Sequence, residues 1–330
     1  MNLERKNPIE REFTDQLSRP LVNQLSFTLE PAPPFCLNLT VWALRRHPDT
    51  TIDRWNGSFY RRVILVDSQP REIAVTQVGS SEMPILLVTV SGPTYNLDIR
   101  PQVTQALDRL LGLKIDLASF YQLAAANPHL NELAKRFRGL KPTRYLSTFE
   151  ALVNGIACQR VTLTMGIRLL NRLVKTYGRP SQSSGNLANA FPQPEDLAGL
   201  RIDDLRAIGY NRIKSRAMIE LSSSIAEGSL NLEEIDPLDD ETALAFLHNL
   251  RGVGRWTAEY TLLRGLGRLN IFPKDEVGSR IHLHHWLNLV GPLDDDHLEQ
   301  ALAQWTPYAG SIYFHLLLQR LASTGTMKWD

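Results

Sequence analysis

Phe246-Leu-His-Asn-Leu-Arg-Gly252-Val-Gly254-Arg-Trp-Thr-Ala-Glu-Tyr260 reads as an apolar helix, a turn with two glycines two residues apart, and a second helix. Gly252 and Gly254 permit positive φ and let the backbone approach a ligand closely. The N–H groups of the second helix's first turn, near Gly254 to Trp256, have no intrahelical acceptor and carry the positive end of the helix dipole, which suits a phosphate. Across the turn, the main-chain carbonyls of His248, Leu250 and Gly252 are candidate ligands for a monovalent cation bridging to that phosphate. Gly-x-Gly alone is more often a plain tight turn, so the surroundings must decide.

Upstream, from residue 21 to about 115, the signals are strand-type. Leu25 to Leu29, Phe59 to Val66, Ile73 to Val78 and Ile85 to Val90 are β-branched or aromatic runs separated by Asp67 to Pro70 and Gly79 to Ser81. They predict an antiparallel meander flanked by helices at Cys36 to His47 and Val103 to Leu111, an α+β domain with one sheet face covered. Beyond 115 nearly every segment has helical periodicity. The expected organisation is a loose tail over residues 1–20, an α+β domain over 21–115, and an all-α domain over 116–330 with the hairpin at 245–265.

With 330 residues, 43% of them hydrophobic and 22% charged, the chain has a globular composition, which excludes disorder and fibres. Cys36 and Cys158 are too few for a disulfide framework, a four-cysteine zinc site or an iron-sulfur cluster. Charged residues crowd Met1 to Phe13 where a signal peptide would be apolar, and no apolar run approaches the ~20 residues that span a bilayer. A soluble cytoplasmic protein in a reducing compartment is expected, with no membrane contact.

The net charge of +1 hides a strong segregation. Residues 131–180 carry ten Lys or Arg against two acids, whereas residues 191–241 carry twelve acids against five bases. One basic surface for a polyanion and one acidic surface held away from it are expected. Arg168, Arg172, Lys175 and Arg179 form one row of that basic stretch, although a solvated helix face is the ordinary reading of such a row.

The hairpin stretch resembles the helix-hairpin-helix motif of the DNA glycosylase superfamily, and Leu-x-Gly-Val-Gly-x-Trp-Thr-Ala-x-Tyr looks like its 3-methyladenine DNA glycosylase II branch. Phe149-Glu150, Ile156 and Gln159, Phe191-Pro192-x-Pro194, Leu205 to Lys214 and Trp305-x-Pro307-Tyr308 resemble that family's other segments, so the likeness covers about 300 residues. It implies an α+β N-terminal domain followed by a mainly α-helical glycosylase domain. The implied partner is double-stranded damaged DNA, bound by a monomer in base excision repair, with no required cofactor; a monovalent cation (Na or K) at the hairpin is only a candidate ligand.

Bifunctional relatives place a nucleophilic lysine just after the hairpin, to attack the sugar and form a Schiff base. This chain has Trp256 there, which implies a monofunctional enzyme using water. Cleavage builds positive charge on the sugar, so an ionised carboxylate beneath it stabilises the transition state. Phe272-Pro-Lys-Asp275-Glu276-Val-Gly-Ser-Arg280 supplies two candidates: Asp275 by side-chain type, Glu276 by register with the family signature. The altered register also fits a catalytically silent, damage-binding member of the same fold.

A flipped base needs flat apolar walls. Trp256 and Tyr260, four apart on one helix face, are the candidate pocket, and their rings would attract a cationic N-alkylated purine. The candidate DNA-binding residues are Gly252, Gly254, Arg255 and Thr257 at the hairpin, with Gln159 and Arg160 at the family's wedge position. An aromatic expected on the last helix is replaced by Leu317. His282, His284 and His285 lack metal-ligand spacing, and the acids from Glu233 to Glu241 lack that of a calcium loop.

Overall fold

The computed structural model describes residues 23–92, 98–181, 188–274, 277–288 and 294–327, with only the main chain of Asn23, Val277 and Ser279. The expected tail over 1–20, the loop at 181–186 except Ser181, and both candidate acids, Asp275 and Glu276, lie outside the described residues.

Strands β1 (Asn23–Leu29), β2 (Arg54–Trp55), β3 (Tyr60–Val66), β4 (Gln69–Gln77) and β5 (Leu86–Gly92) form an antiparallel sheet in the order β1-β5-β4-β3-β2. Only β2 to β5 follow one another as the expected meander. After β1 the chain runs through Pro31 to Pro34 and helix α1 (Leu37–Arg45) and re-enters at the opposite edge, so β1 pairs with β5, Phe27 opposite Val88. The β3–β4 turn needs just two residues, because Asp67 and Ser68 both take positive φ (51° and 62°); β4 therefore starts at Gln69, earlier than its apolar run suggests.

Period-two alternation turns Tyr60, Ile64, Val66, Val75, Val88 and Val90 onto one face. There they pack against Val41 and Leu44 of α1 and Val103 and Leu107 of α2 (Arg100–Leu111). Arg62 shares the period of Tyr60 and Ile64 and so points inward as well. It survives there because its Nη1 meets Asp53 Oδ1 at 2.9 Å and its Nη2 meets Glu150 Oε1 at 2.6 Å.

The helical layer begins with α3 (Ala118–Ala125), α4 (Pro128–Arg136), α5 (Thr148–Cys158) and α6 (Leu163–Tyr177). A two-stranded pair, β6 (Arg179–Pro180) with β7 (Asn189–Ala190), follows within this mainly helical run. Then come α7 (Pro194–Ala198), α8 (Ile202–Ala207), α9 (Arg212–Ala226), α10 (Asp240–His248) and α11 (Arg255–Thr261), the last continuing as a π-helical turn, Leu262–Leu266. Helices α12 (Val277–Trp286), α13 (Asp295–Ala303) and α14 (Ala309–Ser323) complete it. Among the described residues no helix is long and apolar enough to cross a membrane.

The charge-segregated stretch does not form one free basic surface. Lys141 is buried, Arg138 pairs with Glu82, Arg144 donates to the Leu266 carbonyl, and Arg179 pairs with Asp196. In the α6 row, Arg172 donates to the Ile208 carbonyl and Arg168 approaches Asp49 at 4.0 Å.

Candidate functional site

A cleft of about 1560 Å³ opens between the end of α5, the α10–α11 hairpin, the start of α9 and helix α14. The hairpin turn rests on Gly252, whose φ is 77° and whose added Cβ would come within 2.6 Å of the Ala217 methyl. Gly254 differs from the expectation: it caps α11 in extended backbone (φ −87°, ψ 177°) and needs no glycine-specific φ. A Cβ there would meet nothing within 4 Å, so the first turn of α11 is approachable from the cleft.

Gln159 holds this hairpin in place. Its Nε2 donates to the Gly252 carbonyl and to the Thr257 hydroxyl, both at 2.7 Å. Thr257 is buried, its methyl against Gly155 at the wall of the cleft. Arg255 is held by Glu259 at 3.1 Å and Asp295 at 3.3 Å. Of the two residues at the wedge position, Gln159 thus folds back as a brace, while Arg160 lies exposed at the cleft with φ 50°. Of the three carbonyls expected around a cation, that of Gly252 is already engaged by Gln159, and that of Leu250 accepts from the Val253 N–H.

Trp256 and Tyr260 do stand together, stacked at 5.0 Å with their planes 29° apart. Tyr260 is fully buried, its hydroxyl 2.7 Å from that of Tyr145, and burial pushes its ionisation well above the ordinary phenol range. The Trp256 indole N–H is buried without a hydrogen-bond partner. Tyr313, one turn before Leu317 on α14, is an aromatic of the last helix, and both residues line the cleft.

Sequence reading missed Arg46 and Tyr145 altogether. Arg46 closes α1 in the left-handed conformation (φ 60°), and Arg264 fixes that helix end by donating to the Ala43 and Leu44 carbonyls. The Arg46 guanidinium therefore enters the cleft floor between Tyr145 (5.9 Å) and Tyr260 (5.7 Å), with Nη2 donating to Asn154 Oδ1 at 3.0 Å.

Six cationic side chains line the cleft, those of Arg46, Arg160, Lys214, Arg251, Arg255 and Arg320, and among the described residues no Asp or Glu does. Lys214 is buried, its Nζ donating to the Ala157 carbonyl at 2.8 Å, and burial lowers its ionisation. Among the described residues no cluster of His, Cys, Asp and Glu could hold a metal ion.

No protein-family model matches the chain. It is 28% identical over 279 residues to the DNA-3-methyladenine glycosylase of Bacillus subtilis (strain 168), an alignment covering 83% of this chain and 91% of that one. It is 27% identical over 250 residues to the DNA-3-methyladenine glycosylase 2 of Escherichia coli (strain K12), covering 76% and 84%. The solved 3-methyladenine DNA-glycosylase of Archaeoglobus fulgidus superposes with a TM-score of 0.76 at 23% identity, covering 88% of this chain and 97% of that one.

The chain is similar to the 3-methyladenine DNA glycosylase II family. Its fold also matches an 8-oxoguanine glycosylase/lyase of Clostridium acetobutylicum with a TM-score of 0.74 at 16% identity, covering 92% and 99%, a likeness of fold alone. Within the glycosylase family frame, the hairpin and the Trp256–Tyr260 pair stand on one cleft, while Thr257 and Gln159 serve its internal bracing.

Proposed function

We propose that this chain is a monofunctional DNA glycosylase that hydrolyses the N-glycosidic bond of a modified purine, the alkylated purines being the class named in its relatives, and that it works as a monomer on duplex DNA. The observation that carries this reading is the cleft: six cationic side chains, no described carboxylate, and an aromatic stack at one wall. Such a surface attracts a phosphate backbone, while flat rings receive a base swung out of the duplex.

In the reaction the bond from C1′ to the base nitrogen breaks, and its electron pair leaves with the base. Water adds to C1′ and gives up a proton; an alkylated base that is cationic in the nucleoside departs neutral and leaves that proton to the solvent, whereas a base neutral in the nucleoside takes one up. Asp275 or Glu276 is assigned to stabilising the positive sugar and orienting that water. Water rather than an amine is the favoured nucleophile because Trp256 occupies the position of the lysine in lyases. Lys214, the one lysine lining the cleft among the described residues, is buried and bonded to a carbonyl. A monovalent cation at the His248, Leu250 and Gly252 carbonyls would add charge at the phosphate, and no step above depends on it.

The test is incubation with methylated duplex DNA. Free base with an unbroken abasic strand is the expected product. Strand scission with a borohydride-trapped adduct would make the protein a lyase, and tight binding without release would make it a damage-binding protein.

A further inference from the structure

We infer that Ile213, in the first turn of helix α9, enters the base-pair stack of bound duplex DNA and fills space vacated by an extruded base, with Val161 contributing from the α5–α6 turn. The inference deepens the glycosylase reading. It gives that reaction a positioning residue on an element separate from the one that carries Gln159 and Arg160.

Ile213 and Lys214 stand the wrong way round for a surface helix. The isoleucine is 74% exposed, whereas the lysine after it is 6% exposed. An amphipathic helix ordinarily turns its lysines to water and its isoleucines to the core. Here the lysine is spent on architecture: its Nζ donates to the Ala157 carbonyl at 2.8 Å and bolts the start of α9 to the end of α5. Its main-chain N–H donates to the capping side chain of Asn211 at 2.9 Å. The backbone beneath Ile213 is thereby fixed, and its exposed side chain lines the cleft. A local rule broken on the wall of a cleft usually has a functional reason.

A lone exposed apolar side chain needs no explanation, but Ile213 is not alone. Val161, 39% exposed, lines the same cleft. It directly follows Arg160, whose φ of 50° is costly for a residue with a side chain. Met165, 45% exposed, comes one turn later on α6. The six cations of this cleft, with no described carboxylate among its walls, commit it to a polyanion. Apolar groups gain nothing from phosphates. The apolar part of a duplex is the faces of its bases, which open when one base leaves the stack. Gln159 is engaged by the hairpin and Arg160 is charged, so apolar filling falls to Ile213 and Val161.

The test uses the full chain and duplexes carrying one 7-methylguanine or one hypoxanthine, with 2-aminopurine as the neighbouring base to report unstacking by its fluorescence. Wild-type binding is expected to raise that fluorescence. Ile213→Ala and Ile213→Lys should remove most of the rise and slow single-turnover base release about tenfold or more, and Ile213→Leu should keep both. When the modified purine faces an abasic site, where little stacking has to be replaced, the same variants should lose less than about threefold. Because Ile213 is exposed, all three variants should melt as the wild type does. A wild-type fluorescence rise and release rate in Ile213→Ala, or equal losses on paired and unpaired substrates, overturns the inference and leaves the glycosylase reading standing. An Ile213-dependent rise without release of either base overturns the glycosylase reading and leaves the role of Ile213 in place.

Discussion

Arg62 Nη2 lies 2.6 Å from Glu150 Oε1, and both side chains are shut off from solvent. The pair joins β3 to α5, 88 positions apart, and ties the sheet to the helix whose far end carries Gln159. Asp53 completes the group from the other side at 2.9 Å. Arg62→Met leaves two buried acids without their cation and is predicted to cost about 3–5 kcal/mol, read as a lower denaturant midpoint. A loss below ~1 kcal/mol would mean that the sheet is not held to the helices through this pair.

His315 lies wholly inside the α14 core, beside Phe120 and Phe137, with Nδ1 at 2.8 Å from the Ser311 carbonyl. Burial lowers its ionisation to about 4, from 6.5. The folded protein thus resists protonation that the unfolded chain accepts. The associated stability is complete above pH 6.5 and is lost as pH falls toward 4, amounting to roughly 3 kcal/mol over that range. His315→Gln should flatten this part of the stability–pH curve; an unchanged slope would place the acid sensitivity elsewhere.

Gln159 braces the hairpin through two 2.7 Å hydrogen bonds. Gln159→Ala is predicted to cost about 1–2 kcal/mol of stability and to weaken duplex DNA binding about tenfold by loosening the turn. Fluorescence anisotropy and thermal melting separate the two effects, and unaltered affinity would argue that the hairpin does not meet DNA.

The two hairpin glycines should respond differently. Gly252→Ala adds a methyl at positive φ, 2.6 Å from Ala217, and should cost about 2 kcal/mol or more. Gly254→Ala enters open space in extended backbone and should cost under about 1 kcal/mol, yet its methyl stands where a phosphate would approach. A Gly254→Ala protein of near-normal stability with reduced DNA affinity is the expected result; equal stability losses would deny the conformational difference.

Much of this was legible from local pattern. The hairpin, the four-residue spacing of Trp256 and Tyr260, and the change from strand to helix periodicity are short-range signals, and the structure carries each of them. The pairing of β1 with β5 was not legible, because nothing in either strand names its partner across a crossing helix. Arg46 was hidden for a similar reason. In sequence it is the second arginine of a pair at a helix end, which ordinarily points to water, and only the fold places it against Tyr145 and Tyr260, residues about 100 and 200 positions away. Tyr313 was not singled out, since it lies in an apolar helix and is buried while bordering the cleft. The basic stretch misled because a charge count ignores the partners that fixed most of those side chains.

The central claim is that a carboxylate from the segment after the hairpin drives hydrolysis of a glycosidic bond. Its most direct test compares single-turnover release of modified purines from duplex DNA by the wild type, Asp275→Asn and Glu276→Gln, at saturating protein. The account predicts free base with intact abasic strands from the wild type, a loss of about a hundredfold or more in one of the two variants, and DNA affinity retained in both. Undiminished release by both variants, or no release by the wild type despite tight binding, would contradict it.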